Sequence, residues 1–256
     1  MTGAERPGGP EAARPWALFL DVDGTLVDFA PRPDGVVIDG PLLELLKDLE
    51  AGLGGALALV SGRSLDDLSG LFGSCRFAMA GIHGAEWRLG GETGALLACD
   101  SPDCLRLALE LGRLRTGLPD ILIENKRQAL ALHWRSASQR RARVVAEATA
   151  AAARLGPGFR LLRGRRVVEI LPAAAGKAGA IQRFMASPPF AGALPVFVGD
   201  DVTDESGFAA VNRLGGRSIR VGAGGVTAAG WRLAGVAAVR SWLAEVVCPA
   251  LAGVRR

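Results

Sequence analysis

The chain has 256 residues, of which 49% are hydrophobic and 22% charged, with a net charge of +4 and four cysteines; mean hydropathy is +0.25 and the pI about 9.2. That length buries a sizeable core and accommodates one large domain or a core with a smaller insertion. No apolar run reaches membrane-spanning length, the cysteines lack Cys-x-x-Cys spacing and the arginines are dispersed without interleaved aromatics. These features set aside a transmembrane protein, a disulfide or zinc framework and a nucleic-acid binder, and a reducing cytoplasm is the expected compartment.

Residues 1–15, with Pro7, Gly8, Gly9, Pro10 and Pro15, lack the apolar centre of a secretory signal and read as a disordered lead-in. The first predicted element is a buried parallel strand over Trp16–Leu20, ending in Asp21-Val22-Asp23-Gly24-Thr25. Gly24 permits a positive φ and turns the chain away. Asp21 and Asp23 thus stand at a strand's carboxyl end, the edge where open α/β sheets bind ligands. Two carboxylates there suit a hard cation such as Mg2+. Asp-x-Asp alone also describes a solvated acidic turn, but the longer run gives each position a task in phosphoryl transfer: Asp21 attacks phosphorus, Asp23 handles protons and Thr25 offers a hydroxyl. The segment resembles motif I of the haloacid dehalogenase superfamily of aspartate-nucleophile phosphatases.

Pro31 to Gly35 reads as a turn-rich loop, after which Asp39-Gly40-Pro41 caps a helix carrying Leu42, Leu43, Leu45, Leu46 and Leu49. A second strand, Gly55 to Val60, ends in Ser61-Gly62-Arg63-Ser64 before another helical leucine pattern. A serine and the amides of a helix start form a phosphate site, although Ser61 or Ser64 would equally serve as a helix cap. The resemblance identifies motif II here, with Ser61 on the phosphoryl oxygens and Gly62 and Arg63 beside the substrate. A third strand, Phe77–Ile82, leads into Gly81-Ile82-His83-Gly84-Ala85-Glu86, which is similar to a signature of trehalose-6-phosphate phosphatases and implies a substrate-binding His83; by itself it describes a satisfied loop histidine.

From Trp87 to Pro172 short strands surround an Ala/Arg helix over Ser138–Leu155, and we read an inserted α/β domain. Alternation in Leu122–Lys126 projects Glu124 and Lys126 from one face, while Glu169 interrupts the apolar strand Val167–Leu171. Two carboxylates and an ammonium suit sugar hydroxyls, and equally a cross-strand ion pair on a solvated face. Glu124-x-Lys126, Ala131-Leu132-His133-Trp134-Arg135 and Val168-Glu169-Ile170 are similar to the cap pattern of trehalose-6-phosphate phosphatases, which implies that Glu124, Lys126 and Glu169 contact the disaccharide.

Only Lys47, Lys126 and Lys177 of thirty basic residues are lysine, so a lysine marks a place suited to a compact ammonium. Lys177 opens a helix and can neutralise Asp21 and an incoming phosphate. It stands at motif III spacing, although Ala174 and Ala178 replace the family's usual glycines. A last buried strand over Pro195–Gly199 runs into Asp200, Asp201, Asp204 and Glu205, acids that repel one another unless a cation relieves them. This resembles motif IV: Asp200 joins Asp21 and the Asp23 backbone carbonyl around Mg2+, with Asp201 and Asp204 in support. Trp231–Val236 and Ser241-Trp242-Leu243 complete a resemblance to bacterial trehalose-6-phosphate phosphatases over residues 16–243.

The expected fold is α/β, a Rossmann-like parallel-sheet core of the haloacid dehalogenase type (16–86 and 173–256) with a smaller C2-type α/β cap (87–172). The resemblance implies a Mg2+-dependent phosphatase acting on trehalose 6-phosphate through an aspartyl-phosphate, downstream of a separate trehalose-6-phosphate synthase, and a monomer. A phosphatase or mutase for another sugar phosphate, a non-catalytic sugar-phosphate-binding domain and an Asp-x-Asp glycosyltransferase are the alternatives.

Overall fold

The computed structural model describes residues 7–10, 15–29, 35–98, 100–134, 138–164 and 166–254. The loop expected at 31–34, and the expectations for Arg135 and Cys99, lie outside these residues. In chain order the elements are β1 (Trp16–Leu20), α1 (Gly40–Gly52), β2 (Leu57–Val60), α2 (Leu65–Phe72), β3 (Ala78–Gly81), β4 (Glu86–Leu89), β5 (Glu92–Ala95), α3 (Pro102–Gly117), β6 (Leu122–Asn125), β7 (Leu130–His133), α4 (Arg141–Leu155), β8 (Phe159–Arg163), β9 (Val167–Pro172), α5 (Lys177–Met185), β10 (Leu194–Gly199), α6 (Glu205–Arg213), β11 (Arg217–Val221), β12 (Trp231–Leu233), α7 (Val236–Trp242) and α8 (Cys248–Val254).

Two sheets form. The larger has the order β12-β11-β10-β1-β2-β3-β4-β5 and the smaller β6-β7-β9-β8. From β12 to β3 neighbours run parallel. β1 reads as unbroken apolar sequence because both its faces are covered: Trp16, Leu18 and Leu20 enter a core with Leu42, Leu46 and Leu49 of α1 and Trp242 of α7, whereas Ala17 and Phe19 enter another with Ile181 and Phe184 of α5 and Phe208 of α6. β2 continues from β1 on one side and β10 flanks it on the other, so the chain reverses its order at β1. The carboxyl end of β1 is therefore the crevice where doubly wound sheets bind ligands.

Three expectations are corrected. β4 and β5, placed by sequence in the insertion from Trp87 onward, add antiparallel strands to the edge of the larger sheet, pairing Gly81 with Glu86 and Glu86 with Ala95. A hairpin of that length alternates identically whichever sheet it joins, so the pairing was not legible locally. The lead-in is not wholly disordered: Pro7 is buried, its carbonyl accepting from Trp242 Nε1 at 2.7 Å, and the Gly8 carbonyl accepts from Arg217. The helix expected from Ser138 begins at Arg141, after a 3-10 turn over Ser138–Arg140.

The smaller sheet is antiparallel, and α3 and α4 cover one face of it with Leu107, Leu111, Val144 and Ala148 against Ile123, Leu130, Leu132, Val168 and Ile170. Its other face carries the row Glu124, Ala131, Glu169 and Leu162, aligned across four strands by their register. Cys75, Cys104 and Cys248 are free thiols. Among the described residues no helix is long and apolar enough to cross a membrane.

Phe19 stacks on Phe184 and Phe190 at centroid distances of 6.3 and 5.4 Å, directly beneath the strand that presents Asp21. Phe19→Ala should cost about 3–5 kcal/mol, read as a lower urea midpoint.

Candidate active site

Asp21, Ser61 and Asp200 each follow the last residue of one of three adjacent parallel strands, β1, β2 and β10, which brings motifs separated by up to 179 positions to one edge. With Asp23, Gly62, Arg63, His83, Glu124, Lys126, Glu169, Lys177 and Asp201 they line a cleft of about 650 Å³ between the larger sheet and the open face of the smaller one. Thr25 and Asp204 stand behind this surface, fully buried.

Lys177 Nζ donates to Asp21 Oδ1 at 2.6 Å and to Asp204 Oδ1 at 2.5 Å, and Thr25 Oγ1 donates to Asp21 Oδ2 at 3.2 Å. Burial by itself would push the ammonium down, but Asp204 and Asp21 outweigh it and Lys177 is held well above the ordinary lysine range, fully charged. Asp21 is raised well above the usual carboxylate range, first by burial and then, against the pull of Lys177, by Asp204 and Asp200. Burial and the neighbouring Asp204 raise Asp200 to about 7. Asp204 is fixed further by the Asp201 N–H, which donates to its Oδ2 at 2.9 Å.

Asp21, Asp200 and Asp204 offer oxygens that all lie within 4.8 Å of one another. Hard oxygen donors clustered in this way fit a divalent cation. Asp204 spends both oxygens on Lys177 and the Asp201 amide, which leaves Asp21 and Asp200 as the carboxylates for it. Gly24 makes the close approach feasible: at φ +82 a side chain is strained, and its Cβ would meet the Asp200 carboxylate.

Asp23 is expected to offer the metal its backbone carbonyl, and its side chain is turned to Arg63, with Nε donating to Oδ2 and Nη2 to Oδ1, both at 2.7 Å. Only its backbone carbonyl remains for the cation. Arg63, expected on the substrate, thus spends two donors on Asp23. Of the two serines in the following loop, Ser64 is the helix cap, forming a reciprocal capping box with Asp67 on α2. Ser61 is buried in the cleft floor and accepts from the Arg63 N–H at 3.1 Å.

His83 sits in a strained turn. Ile82 and His83 take φ of 49° and 56°, conformations that L residues, and a β-branched isoleucine above all, rarely adopt. The turn is held by the Ile82 N–H on the Arg63 carbonyl and the His83 N–H on the Ser61 carbonyl, each 2.8 Å. It aims His83 Nε2 at Glu169 Oε2, 2.8 Å away. Lys126 Nζ donates to Glu169 Oε1 at 2.6 Å and to the Gly62 carbonyl at 2.8 Å. Burial would raise Glu169, yet Lys126 and then His83 hold it far below the usual range. Glu124 pairs instead with His133 Nε2 at 3.0 Å. His133 thus lies in the cleft as well, and the alternation of β7, which sets it on the same face as Ala131, is the sequence signal for placing it there.

A large parallel sheet with an acidic edge and a second sheet roofing it is a fold shared with a haloacid dehalogenase-like hydrolase from Bacteroides thetaiotaomicron, which superposes with TM-score 0.64 over 94% of this chain and 99% of its own, at 13% identity. The chain belongs to the trehalose-phosphatase family, whose profile matches residues 19–234, and is a phosphoric monoester hydrolase. It is 43% identical over 245 residues to the trehalose-6-phosphate phosphatase of Escherichia coli (strain K12), covering 94% of this chain and 90% of that one. The C-terminal domain of the C. albicans trehalose-6-phosphate phosphatase shares the fold with TM-score 0.75 and 20% identity, over 94% of this chain and 93% of that chain.

The raised Asp200 carries a pH signature. Its folded-state value of about 7 exceeds the ordinary aspartate value of 3.8. Between these values the unfolded chain binds fewer protons than the folded one, so stability of the metal-free protein falls as pH rises through that window. With chelator present, Asp200→Asn should raise the melting temperature at pH 8, and the gain should shrink progressively as the pH is lowered toward 4.

Proposed function

We propose that this chain hydrolyses trehalose 6-phosphate to trehalose and inorganic phosphate, with Mg2+ as cofactor, through a covalent phosphate on Asp21. The observation that carries this reading is the ionised Lys177 locked on Asp21 at the floor of the cleft, beneath a polar sugar-sized roof. Asp21 attacks phosphorus as the bond from phosphorus to the sugar oxygen breaks, and Asp23 gives its proton to that oxygen. Asp23 then takes a proton from water as the water attacks phosphorus; the bond to Asp21 breaks, and phosphate leaves with Asp21 and protonated Asp23 restored. Ser61 and Lys177 hold phosphoryl oxygens, and Thr25 orients the nucleophile through Oδ2.

Asp21, Asp200 and the Asp23 carbonyl are the groups we assign to Mg2+, with Asp204 and Asp201 supporting them. The cation supplies positive charge that keeps Asp21 ionised and draws the phosphate dianion against it.

We assign substrate selection to the smaller sheet and its helices, acting as a cap. Glu124, Lys126 and Glu169 face the cleft with His83 and His133, a set of acceptors and donors suited to the hydroxyls of a disaccharide. Lys126 and Glu169 already bond each other and two groups of the larger sheet, so sugar hydroxyls would exchange with these contacts.

Phosphate release from trehalose, sucrose and glucose 6-phosphates, with and without Mg2+, tests the reading. A Mg2+-dependent preference for trehalose 6-phosphate is expected; preference for another sugar overturns the cap assignment and leaves the chemistry standing. Asp21→Asn should lower kcat by at least about 10³-fold with the fold intact, and substantial turnover by that variant would falsify the covalent step.

A further inference from the structure

Arg63 lies between two elements of the catalytic edge. Its backbone is pinned at both ends, the N–H on Ser61 Oγ at 3.1 Å and the carbonyl accepting from Ile82 at 2.8 Å. Its guanidinium meets Asp23, 40 residues away, with two bonds of 2.7 Å, one to each oxygen. Such a fork fixes the plane of a carboxylate as well as its position. One lone pair on each oxygen stays outside it, so the carboxylate can still carry a proton.

One of the two guanidinium edges able to grip a phosphate, that of Nε and Nη2, is therefore committed to Asp23. The Asp23 side chain is 26% exposed and that of Arg63 12%. Partly solvated pairs contribute little to stability, too little to explain so constrained an arrangement by stability alone.

We propose that Arg63 is a positioning residue for the reaction, a rigid fork that aims the Asp23 carboxylate at the leaving oxygen and the attacking water, and that it does not bind the substrate. This rests on the reading of Asp23 as proton donor and acceptor. A lysine would not replace it, because an ammonium cannot form the two parallel bonds.

The test is a double-mutant cycle of R63A and D23N in the full-length protein, assayed on the sugar phosphate that the panel identifies. R63A should lower kcat by about 10- to 100-fold while KM changes less than about threefold; R63K should recover only part of the loss, and R63A added to D23N should cost nothing more. With p-nitrophenyl phosphate, whose leaving group departs without a proton, R63A should retain a first-turnover burst of one p-nitrophenolate per enzyme before a slow steady state. Should R63A fail to fold, R63Q takes its place in the cycle. Additive losses, a raised KM with kcat intact, or a lost burst in a folded variant each overturn the proposal. Wild-type turnover by D23N would defeat the Asp23 reading itself, and the role of Arg63 with it; a slow D23N with additive R63A defeats the Arg63 inference alone.

Discussion

Lys177 Nζ, almost wholly buried between Asp21 and Asp204, sets the electrostatics of the catalytic edge. With Asp200, three carboxylates converge there against one ammonium, beside the ends of β1, β2 and β10, whose own residues are all apolar. Removing charges from water costs several kcal/mol each unless they are paired and hydrogen-bonded. Lys177 meets that cost for Asp21 and Asp204 together, which is why burial fails to depress it. What it leaves is an excess of negative charge on Asp21 and Asp200, and both are raised above the usual carboxylate range, first by burial and then by the neighbouring carboxylates. A divalent cation fits the imbalance more closely than a second ammonium would, because it accepts several oxygens at one point.

Much of this edge was legible in the sequence because its causes are local. A continuous apolar run stopped by Asp21 and Asp23 signals a two-sided strand and an abrupt polar end, and a lysine in an arginine-rich chain stands out at position 177. Pairings between distant segments were not legible. The charge on Arg63 is visible in the sequence but its partner Asp23 is not, since the choice between substrate and carboxylate is made by a fold that joins the ends of β1 and β2. The left-handed turn at Ile82 and His83 was hidden for a related reason: nothing in an isoleucine announces positive φ, and only the hydrogen bonds to the Ser61 and Arg63 carbonyls enforce it. The β4–β5 hairpin kept its alternation while changing sheets.

The same turn links the two halves of the cleft. It sets His83 against Gly62, where an added Cβ would lie 2.8 Å from the ring, so the glycine is required by the histidine packed on it. From His83 the contacts pass to Glu169 and Lys126 of the smaller sheet and return to the Gly62 carbonyl, a loop of three buried side chains closed on the backbone beside Ser61. Both Glu169 oxygens are thereby occupied by groups of opposite or proton-donating character, which keeps the carboxylate ionised although it is buried. A polyol presents donors and acceptors on one scaffold and can exchange with such a loop group for group. A bare phosphate is an anion that offers mainly acceptors, and Glu169 would repel it. On the proposed reading, selection for the sugar and placement of the phosphoryl group would be coupled at a single position, the Gly62 peptide, one residue from the serine on the cleft floor.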